Sequence, residues 1–256
     1  PRLLRPSGYV SPDVCFLPGI PNFLGLGFDP YPRRDSLIAA GDAASANEEK
    51  ILFQCLEDYR DRRFFLYYHY RDLHLPYASS PPFDTLFTPA GFYRSKIPPE
   101  RLNAVTRDVM IPFGLVTFGE SDREWITGLY DGQLREMDER FFGRLETTLS
   151  RLGLKEKTLL IVTADHGEEL LDHGFVGHAS TSLQGNSYDE VIRIPLIMRY
   201  PEGLPAGRRS AEQVQNIDIA PTVLDILGAE IPAILQGQSL LPLIRGDVGW
   251  RERPAF

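Results

Sequence analysis

The sequence predicts an α/β fold, a mainly parallel sheet with helices on both faces. Two observations predict it. Segments with helical periodicity alternate with short apolar runs, and those runs are continuous, as in strands covered on both sides. At 256 residues, 43% hydrophobic and 24% charged, the chain is long enough to bury the core such a sheet needs. Residues 1–256 read as a single domain without internal repeats.

Taken in order, residues 1–45 are rich in Gly and Pro and read as irregular. The stretch "NEEKILFQCLEDYRDR" sets Ile51, Leu52, Cys55, Leu56 and Tyr59 on one helical face. Asn47 is placed to cap it, and Glu48 and Glu49 suit the positive end of its dipole. "RFFLYYHY" (63–70) is short and aromatic, as in a buried strand. Residues 75–120 carry prolines at 76, 81, 82, 89, 98, 99 and 112, and read as a long loop bordering a site. A long helix follows over 121–153. Ser121 and Glu124 form a capping box, Ile126, Leu129, Tyr130, Leu134, Met137, Phe141, Leu145, Leu149 and Leu152 make its apolar stripe, and Gly153 stops it. Strands are expected at 159–162 and 194–200, and a short helix over 218–228 with Pro221 near its first turn.

Bulk properties exclude several functions. A net charge of −8 with no Lys/Arg run argues against nucleic-acid or anionic-membrane partners. No apolar run approaches the ~20 residues of a membrane span, so the chain reads as soluble, of unknown compartment. The first residues are no signal peptide and do not begin with Met, so a missing upstream segment is expected. Cys15 and Cys55 read as two unreactive thiols.

All 5 histidines fall into two clusters: His69 and His74 in "HYRDLHLPY", and His166, His173 and His178 in "TADHGEELLDHGFVGH". Asp165 and His166 directly follow the predicted strand 159–162, and His69 and His74 follow 64–68. Ligands of open α/β sheets bind at strand carboxyl ends, so both clusters are expected on one rim. An Asp-His pair there offers a carboxylate oxygen and an imidazole nitrogen to a metal; read alone, Asp165 could instead cap the turn through Gly167. His69 is expected to be a packed core residue, and Glu168, Glu169 and Asp172 a solvated acidic turn.

These residues, with "GFDPY", "RRFFLYYHYRDLHLPY", "YDEVIRIPLIMRYP" and "NIDIAPTVLDILG" in order, resemble the sulfatase family of the alkaline phosphatase superfamily. The resemblance implies an alkaline-phosphatase-like sandwich and a metal-dependent sulfuric ester hydrolase. Position by position it makes Asp165 and His166 metal ligands and His74 the histidine that contacts the sulfate or aids the leaving group. It puts His178 where many sulfatases carry a sulfate-binding lysine, and it assigns nothing to His173. The implied metal is calcium, or zinc or manganese for a phosphatase-type relative; the partner is a small sulfate or phosphate ester. No C/S-x-P-S-R nucleophile motif is present: "LRPSG" has Leu4 and Gly8 at the key positions, and "CFLPG" after Cys15 also departs. The family's first acidic metal ligands have no counterpart either. The chain therefore resembles a C-terminal portion whose nucleophile lies elsewhere. A phosphatase, phosphonate-ester hydrolase or phosphoethanolamine transferase, and a non-catalytic binding module, are the alternatives.

Overall fold

The computed structural model describes residues 1–15, 23–38, 44–88, 97–107, 116–178, 187–247 and 250–254, with the side chains of 44 and 45 left out. In chain order the helices are α1 (Arg34–Leu37), α2 (Ala44–Tyr59), α3 (Pro99–Thr106), α4 (Arg123–Glu136), α5 (Gly143–Arg151), α6 (Asp189–Ile192), α7 (Ile219–Ile226) and α8 (Leu241–Arg245). A π-helical stretch, Met137–Phe142, joins α4 to α5, so the long helix predicted over 121–153 is present almost whole. Its cap lies two residues earlier than expected. Gly119 takes the place expected of Ser121, its N–H donating to Asp122 at 2.8 Å, and the Asp122 carboxylate also holds Arg101 and the Trp125 indole. Leu134 leaves the apolar stripe and is exposed. Gly153 ends the helix with φ +68°.

One core lies between α2 and the π–α5 segment, around Ile51, Cys55, Phe141 and Leu149; a second, around Tyr77, Val105, Trp125 and Val176, lies against α4. The long helix serves both. Helix α2 starts at Ala44, so Asn47 and Glu48 lie inside it rather than at its start, and both are buried. Glu48 instead pairs with Arg71 at 2.9 Å, because a buried carboxylate needs a charged or hydrogen-bonding partner more than it needs a helix dipole. Cys15 and Cys55 are buried and form no disulfide. Burial pushes their thiols up to about 11 and about 12, which keeps them protonated and inert.

The strands are β1 (Leu160–Thr163), β2 (Glu169–Leu170), β3 (Val176–Gly177) and β4 (Leu196–Arg199). Both ladders among the described residues, β1–β4 and β2–β3, are antiparallel; parallel pairing is limited to the isolated bridges Val10–Phe64 and Pro12–Asp29. The expected parallel sheet with helices on both faces is thus not found among them. The physical reason is a shortage of neighbours: β1 is only half-buried, and Ile197 of β4 is 60% exposed. The buried strand expected at 63–70 is not formed: these residues join no ladder, and Phe64 makes only an isolated bridge to Val10. Phe64, Leu66, Tyr68 and Tyr70 pack on the first core, with Tyr68 stacked on Phe141 at 5.1 Å. The intervening residues Tyr67 and His69 face the other way, as a period of two requires. The expected loop 75–120 is broken by α3, with 89–96 and 108–115 outside the described residues. Among the described residues no helix is long and apolar enough to cross a membrane.

Candidate functional site

Strand β1 delivers Ala164, Asp165, His166 and Gly167 beyond its carboxyl end. Asn216 ties down the start of this turn, donating to Ala164 O at 3.2 Å and accepting from Thr163 Oγ1 at 3.3 Å. Gly167 sets its exit. The Gly167 N–H donates to Val191 O at 2.6 Å, and a Cβ at this position would overlap the Glu190 carbonyl oxygen of α6. Only glycine allows this approach, which gives the "DHG" spacing a packing reason independent of chemistry.

Asp165 Oδ1 accepts the His166 N–H at 3.1 Å, the turn-capping contact the sequence allows, yet the side chain stays 62% exposed. His166 Nδ1 lies 2.8 Å from Gly167 O. A carbonyl oxygen only accepts, so Nδ1 carries the hydrogen and the neutral ring presents its lone pair at Nε2. His166 Nε2 and Asp165 Oδ1 are 3.7 Å apart. Two ligands about 2.4 Å from one hard cation, subtending roughly 100°, have that separation. The pair fits two positions of a divalent-ion site.

The second histidine cluster reaches the same place. Residues 64–70 lead into a turn in which the His74 N–H donates to Arg71 O at 3.0 Å. The loop beyond is held by Gln133 of α4, donating to Pro76 O at 3.0 Å, and by the Tyr77 N–H on Val105 O at 2.8 Å. His74 Nδ1 donates to Leu75 O at 2.7 Å, so this ring too presents Nε2. The His74 and His178 ring centres are 4.9 Å apart in an edge-to-face arrangement, and those of His178 and His166 are 3.8 Å apart. His74, His178, His166 and Asp165 therefore form one continuous group. His69 joins its edge. Its Nδ1 lies 3.0 Å from the Tyr67 hydroxyl, and its pKa is lowered by burial, with Asp165 opposing and Arg71 and His166 adding to the shift. The expectation of a packed core histidine fails because the core takes the even-numbered residues of that segment.

The β2–β3 hairpin explains the acidic residues. Glu169 pairs with Gly177 and Leu170 with Val176, so continuing the register one step sets Glu168 opposite His178. Glu168 Oε1 is 3.1 Å from His178 Nδ1, both side chains being at least nine-tenths buried. Glu168 also faces Tyr77, a fully buried residue whose hydroxyl pKa is pushed well up by burial first and by this carboxylate second. Alternation sends Glu169 to the opposite face. There its fully buried carboxylate meets His173 Nδ1 at 3.0 Å, with Glu190 Oε2 3.6 Å from the same nitrogen and the His173 ring stacked on Tyr188 at 3.6 Å. These donor atoms lie within 4.8 Å of one another, a separate group with metal-ligand chemistry. Of the expected solvated acidic turn only Asp172 is open, and it accepts from Arg123 at 2.9 Å. Arg123 also donates to the Leu170 and Leu171 carbonyls, pinning the hairpin turn to α4. A hairpin of two-residue strands is too short to show periodicity, which is why Glu168 and Glu169 escape sequence inspection; the ten-residue step from Glu168 to His178 across a glycine turn was the signal available.

The sulfatase family profile matches residues 29–229, more than half of the chain. Steryl-sulfatase of Mus musculus is 37% identical over 129 residues, 47% of this chain and 20% of that protein. N-acetylglucosamine-6-O-sulfatase of Bacteroides thetaiotaomicron is 36% identical over 114 residues, 43% of this chain and 19% of that protein. Among solved structures, a phosphonate monoester hydrolase from Silicibacter pomeroyi superposes with a TM-score of 0.63 at 26% identity, covering 84% of this chain and 44% of that one. The matches thus span less than half the length of these relatives. The fold is that of the sulfatases and their alkaline-phosphatase-superfamily kin, whose members are metal-dependent, and the chain belongs to the sulfatase family.

Proposed function

We propose that these residues supply the metal-holding and leaving-group side of a sulfuric ester hydrolase, as one sulfatase-like domain, with the nucleophile contributed by a segment outside them. The observation that carries this is the contact of three imidazoles, from His74, His166 and His178, beside the exposed Asp165 carboxylate. Asp165 and His166 would hold a divalent cation, calcium in this reading, which when bound offsets negative charge on the ester oxygens. His178 stands where many sulfatases carry a lysine and would donate a hydrogen bond to a non-bridging oxygen. His74, protonated at Nε2, would give that proton to the departing alkoxide or phenoxide. It is left as the neutral Nδ1–H tautomer that Leu75 O already holds. A positioned acid of this kind contributes roughly 10²–10⁴-fold. In the intact protein the segments 63–70 and 160–163 would lie in the family's larger parallel sheet.

In the full-length protein, His74→Ala and Asp165→Asn should each lower aryl sulfate turnover more than tenfold; wild-type rates in both would refute the assignment. A phosphonate or phosphate ester is the second reading, favoured by the likeness to the Silicibacter pomeroyi enzyme. Paired aryl sulfate and aryl phosphonate assays, with metal analysis of the purified protein, separate the two. Faster phosphonate turnover with bound zinc or manganese selects the second, and failure on every ester selects a binding module.

A further inference from the structure

We infer that Glu168 is the positioning residue for His178: its carboxylate accepts the His178 Nδ1–H and turns the ring so that its other nitrogen faces the group formed by His74 and His166. Three independent features support this, and its functional consequence rests on the hydrolase reading above. The first is register. Glu168 and His178 are the cross-strand pair directly beyond the β2–β3 ladder, and the hairpin is clamped by Arg123, so the backbone brings the two side chains together before any side-chain choice is made. The second is burial. A carboxylate this deeply buried requires a hydrogen-bond donor, and His178 Nδ1 meets it at 3.1 Å. The third is the floor beneath Glu168. Tyr77 has no exposed surface, packs edge-to-face on Tyr130 at 5.6 Å and faces the same carboxylate.

The chemical consequence is specific to a histidine at this position. A lysine ammonium offers three hydrogens on a flexible stem and needs no orienting acceptor. An imidazole has two distinct nitrogens, and which one faces the substrate is set by what the other one meets. Glu168 thus supplies the orientation that a planar ring needs and an ammonium does not.

The test uses two substitutions. Glu168→Gln keeps the shape and an acceptor oxygen; Glu168→Leu removes the acceptor. Long-range ¹H–¹⁵N correlation spectra of the histidine rings should show His178 hydrogenated at Nδ1 in the wild type and in Glu168→Gln, and lose that signature in Glu168→Leu while those of His74 and His166 persist. In the full-length enzyme Glu168→Gln should keep at least a third of kcat/KM for an aryl sulfate. Glu168→Leu should lose more than tenfold, mainly in kcat. Should Glu168→Leu fail to fold, Glu168→Asp replaces it, drawing the carboxylate back one methylene, with a weakened His178 signature and an intermediate loss expected. An unchanged His178 signature in the acceptor-free or shortened variant, or equal losses in Gln and Leu, overturns the proposal. An inactive wild-type enzyme defeats the hydrolase reading alone, because the ring spectra still decide the orientation.

Discussion

The two faces of the β2–β3 hairpin carry the same kinds of side chain and put them to different uses. On one face Glu168 meets His178, whose ring touches His166 and lies against His74. On the other, Glu169 and Glu190 flank His173, which is covered by Tyr188. In the first group one carboxylate serves a set of imidazoles, and His74 and His166 present Nε2 outward. In the second, two carboxylates converge on a single imidazole nitrogen. The first arrangement can hand protons and lone pairs to a ligand; the second holds the hairpin to α6. Adjacent glutamates acquire opposite roles through the pleat alone.

Gly167 joins the two faces, so altering it should have the largest effect. Its backbone touches α6 at Glu190 and Val191 while its neighbours are Asp165 and His166. Gly167→Ala must push α6 away or rotate the turn, and both partners are backbone, which cannot yield as a flexible side chain does. A stability loss of about 3 kcal/mol is expected from such overpacking, together with loss of the divalent-ion binding proposed for Asp165 and His166. Urea denaturation and ion titration check both, and a variant with wild-type values for each would show that the seam does not couple the faces.

His173 separates the faces. His173→Ala removes the ring donor from Oε1 of the fully buried Glu169, leaving that carboxylate the backbone N–H of residue 173 on Oε2 at 3.3 Å. An unpaired buried acceptor of this kind costs about 1–3 kcal/mol. Turnover per folded molecule of the full-length protein should stay within threefold of wild type. His178→Ala likewise strips a buried carboxylate, Glu168, of its ring donor and should cost stability on the same scale, but unlike His173→Ala it should also cost more than tenfold in turnover. Denaturation midpoints and initial rates on the two variants test the contrast; equal patterns would dissolve it.

How far these faces could be read from sequence follows the range of the interactions involved. The long helix over 121–153 was legible because its hydrogen bonds and apolar stripe are local, and even there the cap moved to Gly119, whose N–H is taken by an Asp122 carboxylate that also holds Arg101 from a separate helix. His74, His166 and Asp165 do gather as expected, but not along the shared parallel rim the expectation relied on, because residues 63–70 join no ladder with β1. Strand pairing was not legible: a continuous apolar run states that a strand is covered, and not which neighbour covers it, so β1 pairs antiparallel with β4 where a parallel sheet was expected. Glu169 was hidden for a related reason. A charged residue in a turn-rich stretch reads as solvated until the tertiary fold brings a histidine and a helix over it.

His69 offers the smallest and most graded probe, at the edge of the first face. Burial lowers its pKa, Asp165 opposes the shift, and Arg71 and His166 add to it. The folded protein therefore binds this proton less readily than the unfolded chain, whose histidines titrate near about 6.5. The stability His69 contributes is fully present above that value and is lost as pH falls through the lower folded one. Denaturation midpoints measured from pH 7.5 down to 5 should fall, and His69→Gln should flatten part of that fall. Asp165→Asn should steepen it, because the carboxylate that favours the charged ring is then gone. Divalent cation bound at Asp165 should act in the same direction by neutralising the same charge, so repeating the series with and without calcium links the imidazole outside the proposed ligand pair to its occupancy. Parallel pH slopes for wild type and both variants would place His69 outside the group.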